Sequence, residues 1–333
     1  RDHFKSSISN VLSVNHLLFY LFISAVVSLW SNKSYAQGCC TVGASSIGGV
    51  ESGVQKCQTL NFGVNYQFNS VTRAYQETDR IDDPLRRTAS VAYFNIHAEY
   101  GLQPHLVLYA LLNISDKTRE ITVRNVAGGF TETGKFSASG IGDLTLLAKY
   151  QVVTPSITSP FELALGAGAS LPTGSFTKEQ NDAELSIDLQ PGTGATTLIV
   201  WAFAMSNVPT FGLRFFATTM YRYSGTNFNS YRLGDEFLTT IGGEYSFSEH
   251  FGGSLVLRSR YALQDFSNRR TLNATGGTYH DLMPSISYYD GPSQFQVFSQ
   301  LPLYRNVRGI QLTLAYLLGV EYSYTVDFGS QNE

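Results

Sequence analysis

The stretch that decides the fold is IQLTLAYLLGVEYSY, residues 310–324. Its even positions are Ile310, Leu312, Leu314, Tyr316, Leu318, Val320, Tyr322 and Tyr324, and its odd positions are Gln311, Thr313, Ala315, Leu317, Gly319, Glu321 and Ser323. A period of two sends alternate side chains to opposite faces of an extended strand, so one face is greasy and ends in aromatics while the other is mostly small or polar. Such a stripe needs apolar surroundings on one side only. A second sheet supplies them in a soluble sandwich; lipid supplies them in a transmembrane barrel whose other face lines a wet lumen.

Working outward, the same alternation recurs along the chain. In Gln58–Phe68 the residues Leu60, Phe62, Val64, Tyr66 and Phe68 alternate with Thr59, Asn61, Gly63, Asn65 and Gln67. That second face carries no large apolar side chain, so it must be wet. Comparable runs lie at Ala89–Leu102, His105–Ile114, Gly140–Val152, Phe161–Leu171, Phe211–Tyr223, Phe237–Phe247, Phe251–Leu263, His280–Tyr288 and Phe295–Leu303. In a further run the apolar set is Ala195, Thr197, Ile199, Trp201, Phe203 and Met205, and by the same logic it is expected to face outward. Long polar segments, such as Ser115–Ser139 and Thr173–Gly192, alternate with tight turns at Gln103-Pro104, Ser206–Pro209, Ser248–His250 and Tyr289–Pro292. An even count of about twelve strands, most of ten or more residues, with long loops at one end and short turns at the other, predicts an all-β fold: a transmembrane antiparallel up-and-down β-barrel with long external loops and short periplasmic turns. Tyr66, Phe68, Tyr100, Tyr150, Tyr221, Tyr223, Tyr245 and Phe247 are expected to form its interfacial girdles.

Composition agrees. With 15% charged residues, 13% aromatics and 30 glycines against 10 prolines, the 333-residue chain is neither disordered nor a bundle of membrane helices. A net charge of -3 argues against nucleic acid as a partner. The apolar run Leu17–Trp30 follows Lys5 and precedes the small residues Ser34 and Ala36, the pattern of a secretory leader. The expected organisation is a signal peptide over residues 1–36, a Gly/Ser-rich N-terminal segment over 37–56 that is either a periplasmic tail or a plug, the barrel over 57–328, and a C-terminal tail over 329–333. All three cysteines follow the leader, and in an exported chain a disulfide joining Cys57 with Cys39 or Cys40 is the default. A vicinal Cys39–Cys40 bond, a lipidated Cys39 and a three-thiolate metal site are the alternatives.

Three stretches carry a resemblance. They are Gly140-Ile141-Gly142-Asp143 running on to Ala148-Lys149-Tyr150, then Leu165 to Pro172-Thr173-Gly174, then Leu189-Gln190-Pro191-Gly192-Thr193-Gly194. In order and spacing they resemble the outer-membrane transporter family of the meta-pathway of phenol degradation, itself similar to hydrophobic-compound channels. The resemblance implies passive passage of small, hydrophobic or aromatic solutes and brings no catalytic residue. The end of the chain, Gly319 to Tyr324, also resembles the signal that barrel proteins present to the barrel-assembly machinery.

If the greasy face meets lipid, the same parity places His97, Glu99, Asp143, Lys149, Glu162, Arg214, Arg222, Glu236, Glu244, Arg258, Arg260 and Glu321 in the lumen. They are there either as a selective constriction or as mutually paired charges that fill the barrel. The expected function is an outer-membrane channel passing small solutes by diffusion, without a cofactor, its partners being outer-membrane lipid and the solute. A closed structural or adhesive barrel is the alternative. An outer-membrane lipase is another, for which Ser259 and His280 share the lipid-facing parity. A rim protease would need a His beside carboxylates such as Asp79, Asp82 and Asp83.

Overall fold

The structure is a computed structural model and describes residues 53–124, 131–156 and 159–329. Its long strands are β1 (Thr59–Val71), β2 (Thr88–Gln103), β3 (Leu106–Arg124), β4 (Thr131–Ile141), β5 (Leu144–Val153), β6 (Phe161–Leu171), β7 (Thr197–Val208), β8 (Leu213–Ser224), β9 (Glu236–Ser246), β10 (Phe251–Ala262), β11 (Gly277–Asp290), β12 (Ser293–Thr313) and β13 (Tyr316–Asp327). Each pairs antiparallel with its neighbour, and β13 closes on β1 from Thr59↔Asp327 to Ser70↔Tyr316. β4 and β5 share one place in the ring. β5 pairs with Leu106–Leu111 and β4 with Ile114–Arg124 of the same long β3, so the cylinder has twelve strand positions.

Closure of the twelve-position ring leaves no open edge within it, which is what a spanning β structure requires when no water is present to satisfy backbone N–H and C=O groups; the open edges of Thr131–Ile141 and Asp79–Ile81 lie in the extensions at the long-loop end. The alternation read from sequence is what aims the side chains. On β1 Asn65, Gln67 and Asn69 are buried inside while Phe62, Tyr66 and Phe68 project outward. Outward residues such as Leu198, Val200, Leu165 and Ile286 expose half or more of their surface. A belt of that extent all round a protein is a membrane-contacting surface. No helix among the described residues is long and apolar enough to cross a membrane.

The opening stretch is the closing strand, with a qualification. Ile310–Thr313 belongs to the run designated β12, yet it pairs with Arg73–Gln76 in the register that β13 keeps with β1. The chain therefore reverses at Arg308–Gly309, and Ile310–Thr313 is the top of the final strand. Two further expectations are corrected. Ser115–Ser139 is not a loop throughout, because Ser115–Arg124 and Thr131–Ser139 pair as a hairpin that carries the wall beyond the membrane belt. On β7 the set Ile199, Trp201 and Phe203 points inward and is buried, whereas Leu198, Val200, Ala202 and Ala204 face out. Both faces of that strand are apolar, so alternation alone could not orient it.

The long-loop end is itself ordered. Arg73–Glu77 and Asp79–Ile81 extend the barrel wall, and Tyr231–Arg232, Phe266–Ser267 and Arg270–Thr271 form a small sheet across two loops. Asp265 ties those loops, accepting from Tyr231 Oη at 2.6 Å and from the Gly234 N–H at 2.7 Å.

Candidate functional site

The waist of the lumen is packed. Lys149 on β5 and Glu99 on β2 form an ion pair at 2.9 Å with side chains 0% and 2% exposed. The Lys149 ammonium also lies 5.2 Å from the Tyr109 ring centre and 5.0 Å from that of Trp201. His97 stacks on Tyr109 and stands 3.9 Å from Glu321, which accepts from Asn65 Nδ2 at 2.9 Å. Across the barrel Glu236 accepts from Arg222 at 3.1 Å and Arg260 at 2.7 Å, Arg305 pairs with Asp281, and the Tyr279 ring lies 4.2 Å from Arg260. Charges taken out of water persist only with partners; for Glu236 and for Asp281 the neighbouring strand supplies an arginine, whereas Lys149 reaches Glu99 past the strand between them.

Beside this network runs an apolar face. Tyr109, Leu111, Leu147, Ile199, Trp201, Phe203 and Met220 form one buried cluster, with Met205, Phe216 and Leu238 at its edge. Trp201 and Phe203 stack at 5.9 Å and 6°. A water-facing lumen wall gains nothing from this composition, since apolar surface in contact with water is unfavourable by roughly 25 cal/mol per Å². It is suited to an apolar occupant.

At the long-loop end the three stretches that carry the resemblance come together. The carboxylate of Asp143 accepts from the Gly174 N–H at 3.0 Å, the Thr193 N–H at 2.9 Å and Thr193 Oγ1 at 2.6 Å. Leu144 N–H donates to Thr173 Oγ1 at 2.9 Å and Gly192 N–H to Ser175 O at 2.8 Å. A Cβ on Gly174 would meet the Gly142 carbonyl carbon at 2.6 Å and Gly192 Cα at 2.8 Å, so only glycine lets the backbones approach this closely. This clasp folds the loop after β6 into the mouth. Lys117 holds it from the wall by donating to Gln190 O at 2.6 Å and Asp188 O at 3.2 Å, and Arg119 pairs with Asp188. The loop roofs a cavity of about 610 Å³ whose walls include Lys117, Arg222, Glu236, Asn227 and, at the head of the apolar face, Leu111 and Ile199.

The structure brings most of the twelve sequence-selected residues into pairs: Glu99 with Lys149, His97 with Glu321, Arg214 with Glu244, and Arg222 and Arg260 with Glu236. Arg258 donates to Gln300 Oε1 at 3.4 Å, and Glu162 accepts from the Val54 N–H at 2.9 Å. Asp143 stands apart from them as the loop anchor just described. Sequence reasoning missed Trp201 and Phe203, and it missed Asp281 and Arg305, although the inward parity of Tyr279 and Asp281 on β11 was there to be read. Ser259 and His280 are cross-strand partners on the outer surface, hydrogen-bonded through His280 Nδ1 at 2.8 Å, with the imidazole stacked on Tyr304. Mutual satisfaction is what two polar groups facing hydrocarbon require. Asp83 is bound to Arg87 at the rim rather than to a histidine. Cys57 forms no disulfide among the described residues, and Cys39, Cys40 and the leader lie outside them.

Residues 85–308 match the family model described as "Putative MetA-pathway of phenol degradation". The fold is similar to that of the COG4313 outer membrane channel from Pseudomonas putida F1, with a TM-score of 0.64 at 15% identity over 84% of this chain and 98% of that one. More distant likenesses are the NanC porin (TM-score 0.43, 9% identity, 80% and 98% covered) and the toluene transporter TbuX of Ralstonia pickettii (0.40, 11%, 81% and 90%). No curated protein sequence matches the chain.

Proposed function

The chain belongs to the family described as "Putative MetA-pathway of phenol degradation", and from that premise we propose that it is a bacterial outer-membrane channel through which small hydrophobic or aromatic solutes diffuse. The observation that carries this reading is the inward apolar face. It begins at Leu111 and Ile199 in the wall of the mouth cavity and continues through Trp201 to Phe203 and Met205. In this reading a solute entering the mouth cavity meets Leu111 and Ile199 in its wall, and the buried apolar row below them yields to an apolar solute rather than to a charged one. The pairs among the lumen residues, such as Glu99 with Lys149, set the bore and exclude strongly hydrated ions. In this reading the leader over residues 1–36 exports the chain, the long loops face outward, lipid and the barrel-assembly machinery are its partners, and transport needs neither cofactor nor catalysis.

The packed waist favours a second reading, a closed structural or adhesive barrel, because Lys149, Glu99, Trp201 and Tyr109 are all almost wholly buried. Planar-bilayer conductance with liposome swelling separates the two. A channel conducts and admits small aromatics, and Trp201→Asp slows apolar solutes more than sugars of the same size. A folded, heat-modifiable barrel that passes no solute of any kind would refute the channel.

A further inference from the structure

The apolar face does not end at the waist. At its tight-turn end the segment that precedes β1 turns into the barrel, where Val54 packs against the same cluster and its N–H donates to Glu162 Oε1 at 2.9 Å. Gly53 lies so near the wall that a Cβ there would meet Glu162 Oε1 at 2.7 Å and Phe203 Cε1 at 2.9 Å. The segment is fixed behind this point. Thr59 Oγ1 donates to Lys56 O at 2.5 Å, Gln58 N–H donates to Gly101 O at 2.8 Å, and Lys56 pairs with Asp327 at 3.3 Å. A lead-in directed away from the barrel would leave its amides in water. This one exchanges water for a wall carboxylate and the edge of an aromatic stack.

We infer that Gly53–Lys56 is a built-in competitor for the inner end of the solute path: Val54 fills an apolar seat beside Phe203, and an uncharged single-ring aromatic takes that seat when the segment leaves. The inference rests on the channel reading above. The seat takes an uncharged ligand because its lining of Phe203, Trp201 and Met205 offers a charge of either sign no partner in exchange for water, and the Glu162 carboxyl at its edge, 4% exposed, further disfavours an anion. It suits a small one because a valine side chain now occupies it. A tethered occupant acts at an effective concentration in the millimolar range, so it holds the seat until solute accumulates or the tether weakens.

Trp201 stacks on Phe203 and is one of two tryptophans in the chain, the other being Trp30 in the leader, so a Trp30→Phe background makes it the sole reporter. The test titrates the full-length barrel in that background with 4-nitrotoluene, an uncharged aromatic quencher, and records single-channel conductance in parallel. Two variants unseat the segment by different means. Val54→Ser removes the apolar plug, and Gly53→Val introduces the Cβ clash with Glu162 and Phe203. Both are expected to lower the apparent dissociation constant about three- to tenfold, the factor by which a mostly occupied seat becomes free, and to raise conductance. Quenching in the parent with an unchanged or weaker constant in both variants would overturn the competitor and leave the channel standing. Absence of both quenching and conductance in every protein would remove the channel reading, and this inference with it.

Discussion

Asp143 offers the sharpest test of how the mouth is built. Its carboxylate accepts three hydrogen bonds, from the Gly174 N–H, the Thr193 N–H and Thr193 Oγ1, at 3.0, 2.9 and 2.6 Å, and it is 6% exposed. Hydrogen bonds to an ionised acceptor contribute about 1.5–3 kcal/mol each, and donors left buried without a partner cost about 1–3 kcal/mol more. Asp143→Ala removes all three. Lys117 and Arg119 still hold the far side of the loop, so the net loss of docking free energy is set at about 3–5 kcal/mol, the upper range for one substitution. At about 1.4 kcal/mol per decade, the undocked population rises a hundredfold or more. Lys178 on the same loop is exposed, and tryptic cleavage there tracks the open population when closing is fast. The Asp143→Ala barrel is therefore expected to be cut at Lys178 at least fiftyfold faster and to conduct with more open-state noise, while Asp143→Asn, which keeps one acceptor oxygen, falls between. A cleavage rate for Asp143→Ala within a factor of three of the parent would refute the reasoning.

Three further outcomes are expected. Lys149→Met strands Glu99 in a site 2% exposed and lowers unfolding free energy by about 3–5 kcal/mol, whereas the double variant Lys149→Met with Glu99→Leu recovers most of it; urea titration of folded barrel in detergent measures both. Burial would raise the Asp83 carboxyl, but the Arg87 side chain and backbone N–H outweigh it and hold the group below its usual 3.8. A folded-state value below the unfolded one gives stability that is present above 3.8 and lost as pH falls through the folded value, so hydrogen exchange over residues 82–88, corrected for intrinsic rate, stays flat from neutral pH to about 5 and rises below 3.8. Ser259→Ala leaves ester hydrolysis unchanged at background, since the Ser259–His280 pair serves to satisfy two lipid-facing groups; a hydrolytic rate in the parent that disappears in the variant would instead make the pair catalytic.

Much of the candidate site was legible in the residue order, and the limit falls where alternation stops being informative. On β1 from Thr59 to Asn69 every inward residue is small or polar and every outward one is apolar, so the sequence admits a single orientation; only at the end of the strand, at Ser70 and Val71, does the pattern lapse. On β7 both rows are apolar, and choosing between Ile199-Trp201-Phe203 and Leu198-Val200 requires knowing which row the neighbours turn inward. The antiparallel register decides it, because Trp201 stands opposite Gly166 and Met220, whose strands are already committed. The charge pairs show the same division. Parity placed Glu99 and Lys149 in one compartment, yet they are 50 residues apart, on strands separated in the ring by β3, and only closure of the cylinder sets the distance between them.

By itself, then, the chain determined a barrel with one apolar and one polar face: the two-residue period is a local property of extended backbone that most of the strands repeat, and the count of strands and the alternation of long loops with tight turns chose a barrel over a sandwich. The glycine clasp at the mouth, the greasy row on β7 and the inward turn of Val54 were decided only by tertiary structure, since each depends on which distant segments share a volume of space. Gly142, Gly174 and Gly192 look like ordinary strand-end glycines in sequence. In the folded barrel their backbones touch, and the mouth is shaped by that contact.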